Sequence, residues 1–209
     1  MKVLHVIARM NVGGTARYIE ELIDGASQLG YKAELATGYV QQQEIESPGF
    51  NKKSTHRIKH LGRKISPIND LRAYFELKKV IANINPDIIH SHTFKAGLLA
   101  RLVPGDFKRV HTFHGHLLYG YFSKPVITLI ILVEKLMSRF TDHYIVAGEI
   151  VRDQLIEVGI GNKQKFSIIY PGVSSPIKLE SRSIRRKYGI RDDAIVVGWM
   201  GRFESIKAP

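Results

Sequence analysis

Apolar residues along this chain follow two rhythms that alternate. Short runs rich in β-branched residues cover Lys2–Ala8, Lys32–Gly38, Asp87–His92, Arg109–His114, His143–Ala147 and Phe166–Ile169, six candidate strands before residue 170. Between them, apolar residues recur at helical spacing. Over Ala16–Leu29 these are Ile19, Leu22, Ile23, Ala26 and Leu29, with Thr15 placed to cap the helix and Gly30 to stop it. Further helices are expected over Asp70–Asn83, Ala96–Leu102, Val126–Phe140 and Glu149–Val158. Residues 41–69 are polar and basic, with Ser47-Pro-Gly49 and Ser66-Pro67, and read as a long surface loop holding one short strand at most. Strands that alternate with helices of this length form βαβ units. The expected fold class is therefore α/β: a Rossmann-like parallel sheet with helices on both faces.

The pattern changes after residue 170. Tyr170–Ile177 is turn-rich, Ser181–Tyr188 is a basic helical stretch ended by Gly189, and Ala194–Met200 reads as a new strand. The organisation expected is one domain over 1–170, a linker over 171–182, and the opening of a second domain over 183–209. One strand alone can neither bury itself nor satisfy its backbone, so the sequence is expected to be a fragment.

Composition narrows the function. The 209 residues suit one complete domain and are short for two. Cysteine is absent, which excludes disulfides, thiolate metal sites and a cysteine nucleophile. The longest near-apolar run, Val126–Val133, falls well short of the ~20 residues of a membrane span. Val3–Ala8 is followed by Arg9 and is not expected to be a signal peptide. The 31 basic and 19 acidic residues leave +12, a surplus that implies an anionic partner: nucleic acid, an anionic membrane or a phosphorylated small molecule.

Three constellations carry candidate chemistry. Asn11-Val-Gly-Gly14 lies between the first strand and helix. Gly13 and Gly14 let the backbone approach a ligand, and the helix N-terminus favours an anion. The spacing is not Gly-x-Gly-x-x-Gly, and Gly38-Tyr-Val40 stands where a ribose-binding acid would follow the second strand, which argues against a dinucleotide-binding oxidoreductase. Ile88-Ile-His-Ser-His92 and Val110-His-Thr-Phe-His-Gly-His116 place histidines at strand ends, where ligands of parallel sheets bind. His90 and His92 share a face, and His92 and His114 precede the loops, facing a cleft. No carboxylate or His-x-x-x-His helix accompanies them, so no metal is expected. Gly201-Arg202 with Lys207 follows the last strand, where an arginine and a lysine neutralise a diphosphate leaving group.

Taken in order, these segments resemble glycosyltransferase family 4, the group 1 glycosyltransferases. The resemblance rests on Asn11–Gly14, Asp87–His92, His111–His116, Phe140–Val146 with Glu149, Ile169-Tyr-Pro-Gly-Val173 and Gly198–Lys207, essentially the whole chain. It implies a GT-B fold, two Rossmann-like domains facing a cleft, with the acceptor on the N-terminal domain and a nucleotide-sugar donor on the C-terminal one. It also implies transfer with retention, without a metal or other cofactor, to a glycan, lipid-linked or phosphorylated acceptor. Gly13 and Gly14 then lie in the loop that meets phosphate, His114 matches the cleft histidine near the transferred sugar, and Arg202 and Lys207 match the diphosphate-binding pair. The family's two-glutamate motif is absent up to Pro209, so the chain alone is expected to be inactive. Pro171 stands where many members have asparagine, and Gly148 where serine is commoner before Glu149.

The rival is a basic nucleotide- or nucleic-acid-binding module without transferase activity. It would explain the charge, but no recognition helix or aromatic-interleaved platform is present, so no nucleic acid is expected. The charge is better matched to a membrane. Residues 51–64 hold Lys52, Lys53, Arg57, Lys59, Arg63 and Lys64 and no acid. Tyr119, Tyr121 and Phe122 precede the apolar run from Val126, with Lys124, Lys135 and Arg139 around it. The expectation is a cytoplasmic enzyme, peripheral at an anionic membrane face.

Overall fold

A computed structural model describes residues 1–42, 44–49, 54–115, 123–172 and 183–198. The chain divides into two compact units, Met1–Pro171 and Gly172–Pro209. In the first, seven parallel strands form one sheet: β1 (Lys2–Ile7), β2 (Lys32–Thr37), β3 (Thr55–Arg57), β4 (Ile88–His92), β5 (Lys108–Phe113), β6 (His143–Val146) and β7 (Phe166–Ile168). Their order is β3-β2-β1-β4-β5-β6-β7, so the winding direction switches between β1 and β4. The helices are α1 (Gly14–Gln28), α2 (Pro67–Ile84), α3 (Phe94–Leu102), α4 (Lys124–Met137) and α5 (Glu149–Glu157).

Strand register separates the two faces. Leu4, Val6, Ala36 and Ile89 pack with Ala73, Leu77 and Ile81 of α2 and Ala96, Leu99 and Ala100 of α3. The alternate positions Ile7 and Leu35 pack with Ala16 and Ile19 of α1 on the opposite face. Phe113, Tyr144, Val146 and Phe166 form a third cluster with Leu155 of α5. An α3–α4 tie accompanies these apolar clusters. Arg101 and Glu134, 1% and 0% exposed, form a two-pronged ion pair at 2.7 and 2.8 Å, and Arg101 Nε donates to the Gly97 carbonyl at 2.9 Å.

The sequence reading is corrected at three places. Helix α1 starts at Gly14 with Gly13, not Thr15, as its cap, and no side chain closes that end. Gly13 has φ 157°, ψ 175°, a conformation essentially reserved for glycine. The span 41–69 forms the one short strand allowed for it but is not otherwise a surface loop throughout. It contributes β3 to the sheet and buries Ile58 and Leu61 in the core. Within it, the Ser47 N–H donates to the Met10 carbonyl and the Val12 N–H to the Ile45 carbonyl, both at 2.8 Å, while Arg9 pairs with Glu44, so this segment braces the β1–α1 loop. The strand expected over Ala194–Met200 is not formed over its described part, residues 194–198. A strand is defined by a partner's hydrogen-bond ladder, and among the described residues none runs beside it. The second unit does contain a short helix, α6 (Ser183–Tyr188), whose Arg185 donates to the Arg191 and Ala194 carbonyls.

Candidate functional site

Parallel sheets covered on both faces are ordinarily apolar inside. Here one face carries two polar rows. His5, His90, Val110 and His143 are register partners across β1, β4, β5 and β6, and the next row towards the carboxyl ends holds His92, Thr112, Ile145 and Ser167. His114 follows directly after β5. The first polar row spans the β1–β4 switch point, and the second leads to the carboxyl edge where ligands of open α/β sheets bind.

The imidazoles are linked. His5 Nδ1 and His92 Nε2 are hydrogen-bonded at 3.1 Å, and His92 Nδ1 and His114 Nε2 at 2.9 Å. His90 Nε2 bonds the Thr112 hydroxyl at 2.7 Å. Tyr18, one turn into α1, lies edge-on to the His114 ring at 5.1 Å and hydrogen-bonds the same threonine. Tyr18, Thr112 and His114 line a hollow of about 40 Å³ with Phe113, Ile145 and Pro171, room for a hydroxyl-sized group. A larger hollow by Gly30–Glu34 lies at the amino ends of the strands, away from the histidines.

Burial sets the charge state. It pushes His5 and His114 down to about 4, and His90 and His92 well below their ordinary value, where neighbouring imidazoles add to the effect. At neutral pH this is a set of uncharged donors and acceptors. Burial likewise raises the Tyr18 phenol, with its hydrogen bond to Thr112 opposing. Nitrogens of His5, His90 and His92 lie within 4.8 Å of one another. His5 Nδ1 and His92 Nε2 bond each other and His90 Nε2 bonds Thr112, and among the described residues no carboxylate joins the group to balance a buried dication.

The residues expected at the site fall into three positions. Gly13 and Gly14 are exposed at the start of α1, one turn from Tyr18. His114 is partly buried on the hollow, and His92 is fully buried behind it, so His92 meets His114 rather than open space. Arg202 and Lys207 lie outside the described residues. Sequence reasoning missed His5, Tyr18 and Thr112. The signal was a polar residue at alternate positions of otherwise apolar strands, but only the register shows that His5, His90 and His92 meet.

The model of Glycosyltransferase Family 4 matches residues 12–175, most of the chain. The chain belongs to this family. It is 33% identical over 141 residues to the glycosyltransferase EpsD of Bacillus subtilis (strain 168), a match that covers 61% of this chain and 36% of EpsD. Among solved structures it resembles sucrose-phosphate synthase from Thermosynechococcus elongatus at TM-score 0.70 and 15% identity, over 92% of this chain and 53% of that one. It also resembles a glycosyltransferase from Rickettsia africae ESF-5 at TM-score 0.66 and 18% identity, over 92% of this chain and 50% of that one. The chain thus spans about half the length of these structures. The likeness is one of fold: the Rossmann-like parallel sheet of this chain matches about half of these GT-B neighbours.

Proposed function

We propose that this chain supplies the acceptor-side half of a retaining glycosyltransferase that moves a sugar from a nucleotide-sugar donor to a glycan, lipid-linked or phosphorylated acceptor. The observation that carries the reading is the neutral His5–His92–His114 chain, which ends on a hydroxyl-sized hollow beside the first turns of α1. A neutral imidazole there reads a sugar hydroxyl, not a charge. Gly13 and Gly14 offer backbone N–H groups and the positive end of the α1 dipole to a phosphate. In this reading Arg202 and Lys207 take the donor diphosphate, residues 171–182 link the acceptor-side domain to the start of the donor-side one, no metal takes part, and the 209-residue chain does not transfer sugar by itself.

Membrane docking belongs to the same proposal. No helix of the described residues is long and apolar enough to cross a membrane. The outer face of α4 and the turn after it nevertheless expose Val126, Leu129, Leu132, Leu136 and Phe140, spaced three or four residues apart, with exposed Lys124, Lys135 and Arg139 alongside. Of the basic segment, Lys59, Arg63 and Lys64 are exposed, while Arg57 is engaged with Glu46 at 2.8 Å and Lys52 and Lys53 lie outside the described residues. A helix of this kind lies in the interface of an anionic, cytoplasmic membrane face and brings a lipid-linked acceptor to the cleft.

The test is transfer from a panel of nucleotide-sugars by a longer protein in which a donor-binding half follows this chain. His114→Ala should cut turnover about 10²-fold, the usual effect of losing one preorganised hydrogen bond to the transition state, and leave nucleoside-diphosphate affinity nearly unchanged. Collapse of that affinity with turnover per bound donor intact would reject the assignment.

A further inference from the structure

We infer that His92 and His5 are positioning residues that fix which nitrogen of His114 carries its proton, and so whether His114 offers the hollow a donor or an acceptor. The use of that nitrogen by a substrate rests on the proposed function, whereas the coupling itself does not.

The argument is a count of protons. A neutral imidazole has one N–H donor and one bare acceptor. His92 uses both nitrogens, Nε2 towards His5 and Nδ1 towards His114. If both neighbours donated to it, His92 would have to be an imidazolate; if both accepted, an imidazolium. His92 is fully buried, and either ion is heavily penalised there. Two arrangements remain. In one, every histidine of the chain carries its proton on Nδ1 and His114 presents an N–H to the hollow. In the other, every one carries it on Nε2 and His114 presents a bare nitrogen. The rings are held for this. His90 packs on His92 at 4.2 Å between centroids and His5 at 5.4 Å, nearly parallel at 18°, and His90 is itself tied to Thr112. The preference of the innermost member, His5, therefore reaches the hollow through two hydrogen bonds.

The choice has a consequence for specificity. A hydroxyl that must donate is accepted only by the bare form, and an acceptor oxygen is accepted only by the N–H form. A site left unpaired in the wrong form discriminates strongly, as sites built around one hydrogen bond do.

The experiment labels the histidines of the 209-residue chain with 15N and reads two-bond 1H–15N correlations at neutral pH, which separate protonated from bare ring nitrogens. The expected result is that His5, His92 and His114 share one tautomer. Mixed tautomers among the three would overturn the inference, and so would elemental analysis showing a stoichiometric metal on His5, His90 and His92. Next, His5→Phe should make His114 populate both tautomers, although His5 lies two hydrogen bonds from the hollow. His114 unchanged in His5→Phe would overturn the coupling; if that variant does not fold, the wild-type tautomers still decide. In the longer protein, His5→Phe should lower kcat with the donor KM held. A shifted tautomer with kcat intact upholds the coupling and rejects His114 as a substrate contact.

Discussion

Replacing Glu134 by alanine offers a direct measure of what joins α3 to α4. The carboxylate and the Arg101 guanidinium are 0% and 1% exposed and bonded at 2.7 and 2.8 Å. In Glu134→Ala the guanidinium keeps the Gly97 carbonyl and a long 3.4 Å contact to the Thr141 hydroxyl, with no counter-charge. Stranding a buried charge costs about 3–5 kcal/mol, a large share of the roughly 5–15 kcal/mol that holds a domain together. At about 2–4 °C per kcal/mol for this size, the melting temperature should fall by roughly 6–20 °C. The double variant Arg101→Met with Glu134→Leu removes both charges and fills the space, and should recover most of the loss, since apolar replacements of buried pairs are often neutral or better. Urea unfolding followed by circular dichroism gives the free energies of the wild type and the two variants. A single variant that cost under about 1 kcal/mol would show that water reaches the pair, the regime of surface ion pairs. A double variant as unstable as the single would show that shape, not charge compensation, holds the two helices.

Three further outcomes are expected. Gly38→Ala should destabilise by at least about 2 kcal/mol, because an added Cβ would meet the Leu61 carbonyl oxygen at 1.8 Å and that of Ala8 at 2.7 Å, both backbone; a neutral effect in thermal denaturation would contradict this. Stability should fall as pH drops from 6.5 towards 4. His5 and His114 titrate near 4 when folded and near 6.5 when unfolded, so between those values the unfolded chain binds more protons, and above 6.5 the contribution is flat. His5→Phe should shrink that slope, and an unchanged slope would argue against the buried histidine. Co-sedimentation with anionic vesicles should fall with salt and with Leu129→Asp or Leu132→Asp, at about 1 kcal/mol per basic residue near the surface; binding indifferent to lipid charge would reject docking by α4.

Much of the architecture was legible because strands buried on both faces read as apolar runs and the intervening helices keep a 3.6 period. Six of the seven strands stand within a residue or two of where the pattern puts them. β3 was allowed for within 41–69 but could not be placed, because three half-buried residues, Thr55–Arg57, carry no periodic signal, and Ile58 and Leu61 sit among basic neighbours. The cap of α1 was misplaced because a side-chain oxygen was sought where an unusual glycine backbone does the turning. For the site, the strand ends named His92 and His114, since strand termini are local features. Their partnership with His5, and that of Thr112 with His90, depends on which strands lie side by side. That is information about pairing across 85 residues, as Val3 beside Ile88 shows, which a single sequence does not display.

The central place of β1 also bears on how the chain is made. β1 leaves the ribosome before the other strands of this sheet, yet one of its two edges stays unpaired until β4 arrives, because Val3 pairs with Ile88. At roughly 5–20 residues per second, that wait lasts about 4–17 s. Throughout it the nascent chain can complete β1, α1 and β2 but must carry an open strand edge beside them, the kind of edge that recruits other chains. Synthesis pace between residues 37 and 88 is thus a determinant of yield, and slowing it should raise aggregation or chaperone capture more than slowing any stretch after β5.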